Sequence, residues 1–346
     1  MQWNPAAASI RTHALTLAIS VAGAVLFSAA GLPLPLLLGP MFACLAAALA
    51  GLNLYALKGV SEAMRTILGI AVGASLTPGL IDRAGGMALS LALVPLFVLI
   101  IGLVGYPYFR RFCGFDRVTA YYAAMPGGLQ DMILFGQEAG GNVRSLALVH
   151  ATRVLVIVSI MPLLLAFLFG MGLDNPPGAP VLEIPWHALA LMLAAAWIGW
   201  RGGKRVGLFG AAILGPMAVS GALALGGVLE HRPPAEAVWA AQFFIGMGVG
   251  VSYIGTTIEE VRRILLASLG YCLILAVLSL IFAEGVFLTG AAPQVEALLA
   301  FAPGGQAEMV VLAIVAGVDM AFVVTHHLTR LIVVIIGAPL AARWLR

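Results

Sequence analysis

The sequence predicts an all-α polytopic membrane protein made of two inverted repeats of five transmembrane helices, each repeat with a re-entrant Pro-Gly-Gly element. Three observations carry that prediction: the composition, an internal duplication, and the placement of Lys and Arg along the chain.

Hydrophobic residues make up 62% of the chain and charged residues 10%, where a soluble domain has roughly half and about a quarter. Apolar runs such as "MALSLALVPLFVLIIGLVGYPYF" and "SLALVHATRVLVIVSIMPLLLAFLFG" recur from end to end, each long enough to span a bilayer. A buried helix of a soluble protein would need polar neighbours over its outer face, and the chain has too few. The net charge of +3 is small and spread over loops, so it indicates no nucleic-acid partner. Cys44, Cys113 and Cys272 have no paired spacing, which suggests neither a zinc site nor a disulfide framework. The segment from His13 to Gly31 has a counterpart in the second half, so it is read as the first span and not as a signal peptide.

The duplication is read from matched segments. "LLGPMFACLAAALAG" (Leu37 to Gly51) matches "ILGPMAVSGALALGG" (Ile213 to Gly227), and "LGIAVGASL" from Leu68 matches "IGMGVGVSY" from Ile245. Pro126-Gly127-Gly128 matches Pro303-Gly304-Gly305, and "HATRVLVIV" from His150 matches "HLTRLIVVI" from His327, both at an offset of 177. The first repeat is assigned to residues 1–172 and the second to 187–346. Between them the proline-rich residues 173–186 read as a linker. Spans in the first copy are expected near residues 13–31, 35–52, 64–81, 86–108 and 145–170.

Charge placement orients the repeats, because cytoplasmic loops are enriched in Lys and Arg. With five spans per repeat and the N-terminus inside, 14 of these residues, from Arg11 to Arg346, face the cytoplasm. Only Arg83 and Arg232 face out, while Arg153 and Arg330 stay within the membrane. Six spans per repeat would give 9 against 7 and no bias. The second repeat is therefore expected to be inverted, with both termini cytoplasmic. The two arms around each Pro-Gly-Gly have roughly 8–12 residues, enough at ~1.5 Å per residue to reach about half the hydrocarbon depth. Broken backbone at that depth must be covered by protein or line a water-filled cavity.

The residues that could carry chemistry come in matched sets. Pro126, Gly127 and Gly128, with Pro303, Gly304 and Gly305, could expose backbone N–H groups at the start of a half-helix, a site for an anion; alternatively they are packing kinks. Asp131 and Glu308 follow at equal spacing, either as caps of their own half-helices or as carriers of a proton or cation. His150 with Arg153, and His327 with Arg330, lie three residues apart, on one helix face. Each arginine could fork onto a substrate carboxylate or phosphate, and each histidine could titrate near neutral pH. The structural alternative is an ion pair, Arg153 with Asp131 and Arg330 with Glu308. Gly69, Gly73, Gly246 and Gly250 read as helix-packing positions. Gly39-Pro40-Met41 and Gly215-Pro216-Met217 read as kinks and not as breaks. Glu138 and Asp319 have no acidic counterpart and rank below the matched set. No catalytic residue, metal-ligand set or cofactor motif is assigned.

The paired Pro-Gly-Gly and Leu-Gly-Pro-Met motifs, in a two-copy layout over nearly the whole chain, are similar to those of the AbrB-type bacterial membrane protein duplication family. Its members carry labels such as ammonia monooxygenase or regulator of gene expression. The resemblance implies a protein of the bacterial cytoplasmic (inner) membrane and assigns no role to any residue. The residues argue against both labels. A monooxygenase needs converging metal ligands, whereas His326 and His327 are helix neighbours that diverge by about 100° and His13, His150, His187 and His231 are scattered. A transcription factor needs a soluble basic module, and none is present.

The function expected from these observations is secondary transport of a small, anionic solute coupled to protons, with a mid-membrane site between the two Pro-Gly-Gly elements. No nucleotide-binding Gly-rich motif is present, which leaves an ion gradient as the driving force. A membrane sensor that affects gene expression indirectly is the alternative, and a channel ranks third. The expected partners are the lipid bilayer and the solute, with no nucleic acid; homo-oligomerisation is left open.

Overall fold

The computed structural model describes residues 10–55, 58–76, 79–171, 176–208, 210–255 and 258–342. Arg343, Arg346 and residues 173–175 of the expected linker lie outside them. Among the described residues the chain is helical throughout, with no strand. The helices are α1 (Ile10–Ala29), α2 (Pro35–Leu49), α3 (Lys58–Gly73), α4 (Gly79–Pro107), α5 (Arg117–Ala124), α6 (Leu129–Glu138) and α7 (Val143–Phe169). Then come α8 (Trp186–Arg205), α9 (Ala211–Leu225), α10 (Ala235–Val251), α11 (Ile258–Leu288), α12 (Gln294–Phe301), α13 (Gln306–Ala316) and α14 (Met320–Ala342). The starts of α5, α6 and α7 precede those of α12, α13 and α14 by the 177 residues of the sequence register (117 and 294, 129 and 306, 143 and 320).

Among the described residues five helices are long and apolar enough to cross a bilayer: Arg11–Ala29, Met87–Phe112, Val143–Phe169, Arg262–Leu288 and Met320–Ala342. Helices α2, α9, α10 and α13 are apolar but shorter. Large apolar side chains stand exposed on the long helices, for example Leu26, Leu103 and Leu273. That costs little in hydrocarbon and would be unfavourable in water.

The chain divides into two compact units, and each draws on both sequence halves. One comprises residues 1–77 and 172–258, hence α1–α3 and α8–α10; the other comprises residues 78–171 and 259–346, hence α4–α7 and α11–α14. The compact units therefore do not follow the repeat boundary.

In the first unit α2 packs on α1 and α10, α3 on α10 and α9, and α9 on α8. Glycines make these crossings close. A Cβ added at Gly199 would lie 2.4 Å from the Gly215 carbonyl carbon, and one at Gly23 would lie 2.3 Å from Gly39 O. The Gly-Pro of each Leu-Gly-Pro-Met motif is thus the crossing point of a continuous helix, since α2 runs through Pro40 and α9 through Pro216. Gly69 and Gly73 meet Ile213 and Met217 of α9, and Gly246 and Gly250 meet Leu37 and Met41 of α2. Both helices end on the same device: Gly51 (φ 83) and Gly227 (φ 70) take the left-handed turn that closes the last carbonyls. The Gly199→Leu variant should lower the melting temperature in detergent or lipid, because overpacking costs about 1–3 kcal/mol. Gly202, on the same helix with open space around it, should accept Ala without loss.

The described part of the linker is packed against the start of α10. Ala235 N donates to Ala179 O (3.0 Å), and Val181 N donates to Glu236 Oε2 (3.0 Å).

In the second unit α4 continues as a π-helical turn at Tyr108–Phe112, and Tyr108 O–H donates to Ala267 O of α11 (2.9 Å). Helix α14 packs on α4 and α12, while α5, α6 and α7 pack on one another.

Candidate functional site

All twelve residues singled out in the sequence lie in the second unit, on α6, α7, α13 and α14 or in the breaks before α6 and α13. The breaks follow from the chemistry of their residues. Pro126 and Pro303 offer no N–H to the preceding turn, and they push the residue before them out of the helical region. Met125 (φ −70, ψ 130) and Ala302 (φ −62, ψ 124) are accordingly extended. Helices α6 and α13 then restart from Gly128 (ψ 144) and Gly305 (ψ 145).

A helix that stops inside a protein leaves its last carbonyls without partners. Here side chains fill that need in the same way in both copies. His150 donates from Nε2 to Tyr122 O (3.0 Å), and His327 from Nε2 to Leu299 O (2.8 Å). Arg153 spans its break, from Nη1 to Met125 O (3.2 Å) and from Nη2 to Gly127 O (2.7 Å). Arg330 does the same to Ala302 O (2.9 Å) and Gly304 O (3.0 Å). The carbonyls of Ala124 and Phe301 are taken by Tyr271 O–H and by Ser279 Oγ (3.0 Å), both from α11. The sequence reading missed Tyr271 and Ser279. Their only signal is that they are polar residues within an apolar span.

The ion pairs weighed as the structural alternative, Arg153 with Asp131 and Arg330 with Glu308, are not formed. Among the described residues neither arginine meets a carboxylate, although Arg153 is 2% exposed and Arg330 3%. Burying one ion costs several kcal/mol, and each hydrogen bond from a charged donor returns about 1.5–3 kcal/mol. Two carbonyl bonds per arginine therefore offset the desolvation without neutralising the charge. Among the described residues the Nε groups of both arginines have no partner, and neither do His150 Nδ1 and Gln306 Nε2. The arrangement is a buried, positively charged site with unfilled donors.

The copies differ in one respect. His327 Nδ1 accepts from Arg330 Nη2 (3.3 Å), whereas His150 Nδ1 is the unpartnered atom just noted. His326, its ring turned elsewhere, donates from Nδ1 to Phe322 O (2.8 Å) and meets Ser90 Oγ (3.0 Å). Among the described residues no three His, Cys, Asp or Glu could hold a metal ion together.

The spacing of glycine and methionine in each motif also has a cause. Met132 and Met309 fold over the first glycine of their own break. A Cβ would lie 2.7 Å from Met132 Cε at Gly127 and 2.6 Å from Met309 Cε at Gly304. Asp319 is an N-cap: its Oδ1 accepts from the N–H groups of Ala321 (3.0 Å) and Phe322 (3.2 Å). Its counterpart 177 residues earlier is Asn142, the N-cap of α7. Glu138 lies at the exposed end of α6.

The hairpin of α5 and α6 is anchored at its foot. Asp116 caps α5 by accepting from Thr119 N (2.9 Å), and Asn142 N donates to Thr119 Oγ1 (2.8 Å). Burial pushes the Asp116 carboxyl up, but the hydrogen bonds from Thr119 and neighbouring backbone outweigh it and hold it below the usual range. A depressed folded value means that this stability is present above the unfolded pKa and is lost as pH falls through the folded one. Asp116→Ala should cost about 0.5–2 kcal/mol at neutral pH and little in acid, as a pH series of melting curves would show.

The profile of the family described as "Transition state regulatory protein AbrB" matches residues 36–346. The chain is 25% identical over 350 residues to "Uncharacterized protein YhjN" of Bacillus subtilis (strain 168), covering 93% of this chain and 90% of that one. It is 26% identical over 332 residues to "Putative regulator AbrB" of Escherichia coli (strain K12), covering 92% of each.

Proposed function

The chain belongs to the AbrB family, and we propose that it is a secondary transporter of a small anionic solute in the bacterial inner membrane. The observation that carries this reading is the pair of buried arginines, each holding a backbone break, neither neutralised by an acid, and both with an unpartnered Nε–H. A guanidinium fork with a free edge, in a site of low dielectric, attracts carboxylate or phosphate. The half-helix starts at Gly128 and Gly305 add N–H donors of the same sign. The proposed topology is that of ten spans in two inverted repeats, with the Pro-Gly-Gly hairpins entering from opposite faces and both termini in the cytoplasm. Its support is the bias of 14 Lys and Arg against 2. Protons are the proposed coupling ion, the lipid bilayer and the solute the partners, and no enzyme activity is assigned.

The names of the family and of one relative speak of regulation, which favours a second reading: a membrane sensor that acts on gene expression through a partner. Reconstituted protein separates the two. Uptake of a small anion into proteoliposomes, driven by an imposed pH gradient, supports transport. A protein that moves no anion, yet binds a cytoplasmic regulator, supports the sensor. The topology has its own test, since a cysteine placed between Leu182 and Ile184 should label from the periplasm. Cytoplasmic labelling there would remove the inverted repeat.

A further inference from the structure

Asp131 and Glu308 hold the same place in the two copies, the third residue of a half-helix that restarts after Pro-Gly-Gly. Their surroundings differ. Glu308 is 6% exposed, and its carboxylate folds back over Gly305, where a Cβ would lie 2.1 Å from Oε2. An acid turned onto its own helix start is favoured there by the helix dipole. Helix α13, "QAEMVVLAIVA", is buried on all sides from Ala307 to Ala313.

Helix α6, "LQDMILFGQE", is not. Met132 and Gly136 face inward, while Asp131 is half-buried and shares an open face with Leu134 and Glu138. These positions, three and seven residues on, form one stripe of a helix. Asp131 and Glu138 on one stripe, with Gln137 beside it also exposed, suit water and not lipid, because ionisable groups facing hydrocarbon are costly.

The elements packed against α6 are α5 and α7. Their titratable or charged groups are Arg117, Tyr121 and Tyr122 on α5, and Arg144, His150 and Arg153 on α7; Glu138 lies on α6 itself. Arg153 is committed to carbonyls, so it does not clamp Asp131 in an ion pair. His150, fully buried on α7, keeps Nδ1 without a partner, while its counterpart His327 is tied to Arg330. The first copy thus has the more exposed carboxyl and the imidazole with an unpartnered nitrogen.

We propose that the two copies have diverged in role: Asp131 is the group that takes up and releases the coupling proton, and Glu308 is a fixed structural cap. The proton adds to an Asp131 carboxylate oxygen from water in the open face of α6 and returns to water by the same atom. No other bond changes.

This inference rests on the transport reading, and its test keeps the two apart because it needs no solute. Infrared difference spectra between acid and neutral pH are recorded on purified protein in lipid. The wild type should show a carboxylic C=O band that Asp131→Asn removes and Glu308→Gln leaves. Glu308→Gln should instead lower the melting temperature more than Asp131→Asn does. A band that survives Asp131→Asn, or disappears with Glu308→Gln, overturns the assignment. If Asp131→Asn does not fold, Asp131→Glu should keep the band at a shifted frequency, and an unshifted band overturns it equally. The expected spectra from a wild type that takes up no anion would sink the transport reading and leave the carboxyl assignment standing.

Discussion

Proteoliposomes carrying Arg153→Ala or Arg330→Ala should take up anion no faster than empty vesicles, while the wild type accumulates it. Each substitution removes one of the two buried guanidinium charges of the site, and it leaves two carbonyls of a break without their donors. Unsatisfied buried groups cost about 1–3 kcal/mol each, so the break itself should also loosen. Lysine is not expected to rescue either position. A single ammonium has no planar fork to hold two carbonyls and still present a free N–H edge. If Arg153→Lys transports at the wild-type rate, the geometry of the fork is irrelevant and the site is misassigned.

The second large effect is expected at the first glycine of each motif. Gly127→Leu and Gly304→Leu should both fold poorly and lose uptake. The added carbons run into Met132 or Met309, and overpacking of this kind costs about 1–3 kcal/mol. The functional loss should exceed that figure, because Gly127 O and Gly304 O are arginine acceptors and shift with the clash. A double-mutant cycle isolates the cause. Gly127→Ala with Met132→Ala should recover stability relative to Gly127→Ala alone. No recovery would show that the methionine is not what requires glycine there.

What the sequence made legible was whatever the duplication repeats. The 177-residue register located the starts of α5, α6 and α7 and of their partners, and it picked His150, Arg153, His327 and Arg330 as a set. The structure ties each of these four side chains to a break. Glycines at helix crossings were equally readable, because Gly69, Gly73, Gly246 and Gly250 have packing reasons that recur in both copies.

Four things were not legible, each for a physical reason. Tyr271 and Ser279 come from α11, whose tertiary partners are remote in sequence, and no repeated motif marks them. The acceptors of the arginines are backbone carbonyls, which carry no residue-type signal, so a carboxylate partner was the natural but unrealised alternative. The compact units combine helices from both halves because packing follows contact between copies and not chain order. The asymmetry between Asp131 and Glu308 was hidden too, since equal spacing says nothing about which face of a half-helix is covered.

The central claim is that the two arginine-held breaks form an anion site, and its most direct measurement is a thermal-shift titration of the purified protein in lipid nanodiscs. Inorganic phosphate, sulfate, small carboxylates and, as opposite-charge controls, small amines are added one at a time. The predicted result is that at least one anion and no amine raises the melting temperature of the wild type, and that the shift is absent in Arg153→Ala and Arg330→Ala. A shift produced only by amines, or one that persists after both arginines are removed, would contradict it.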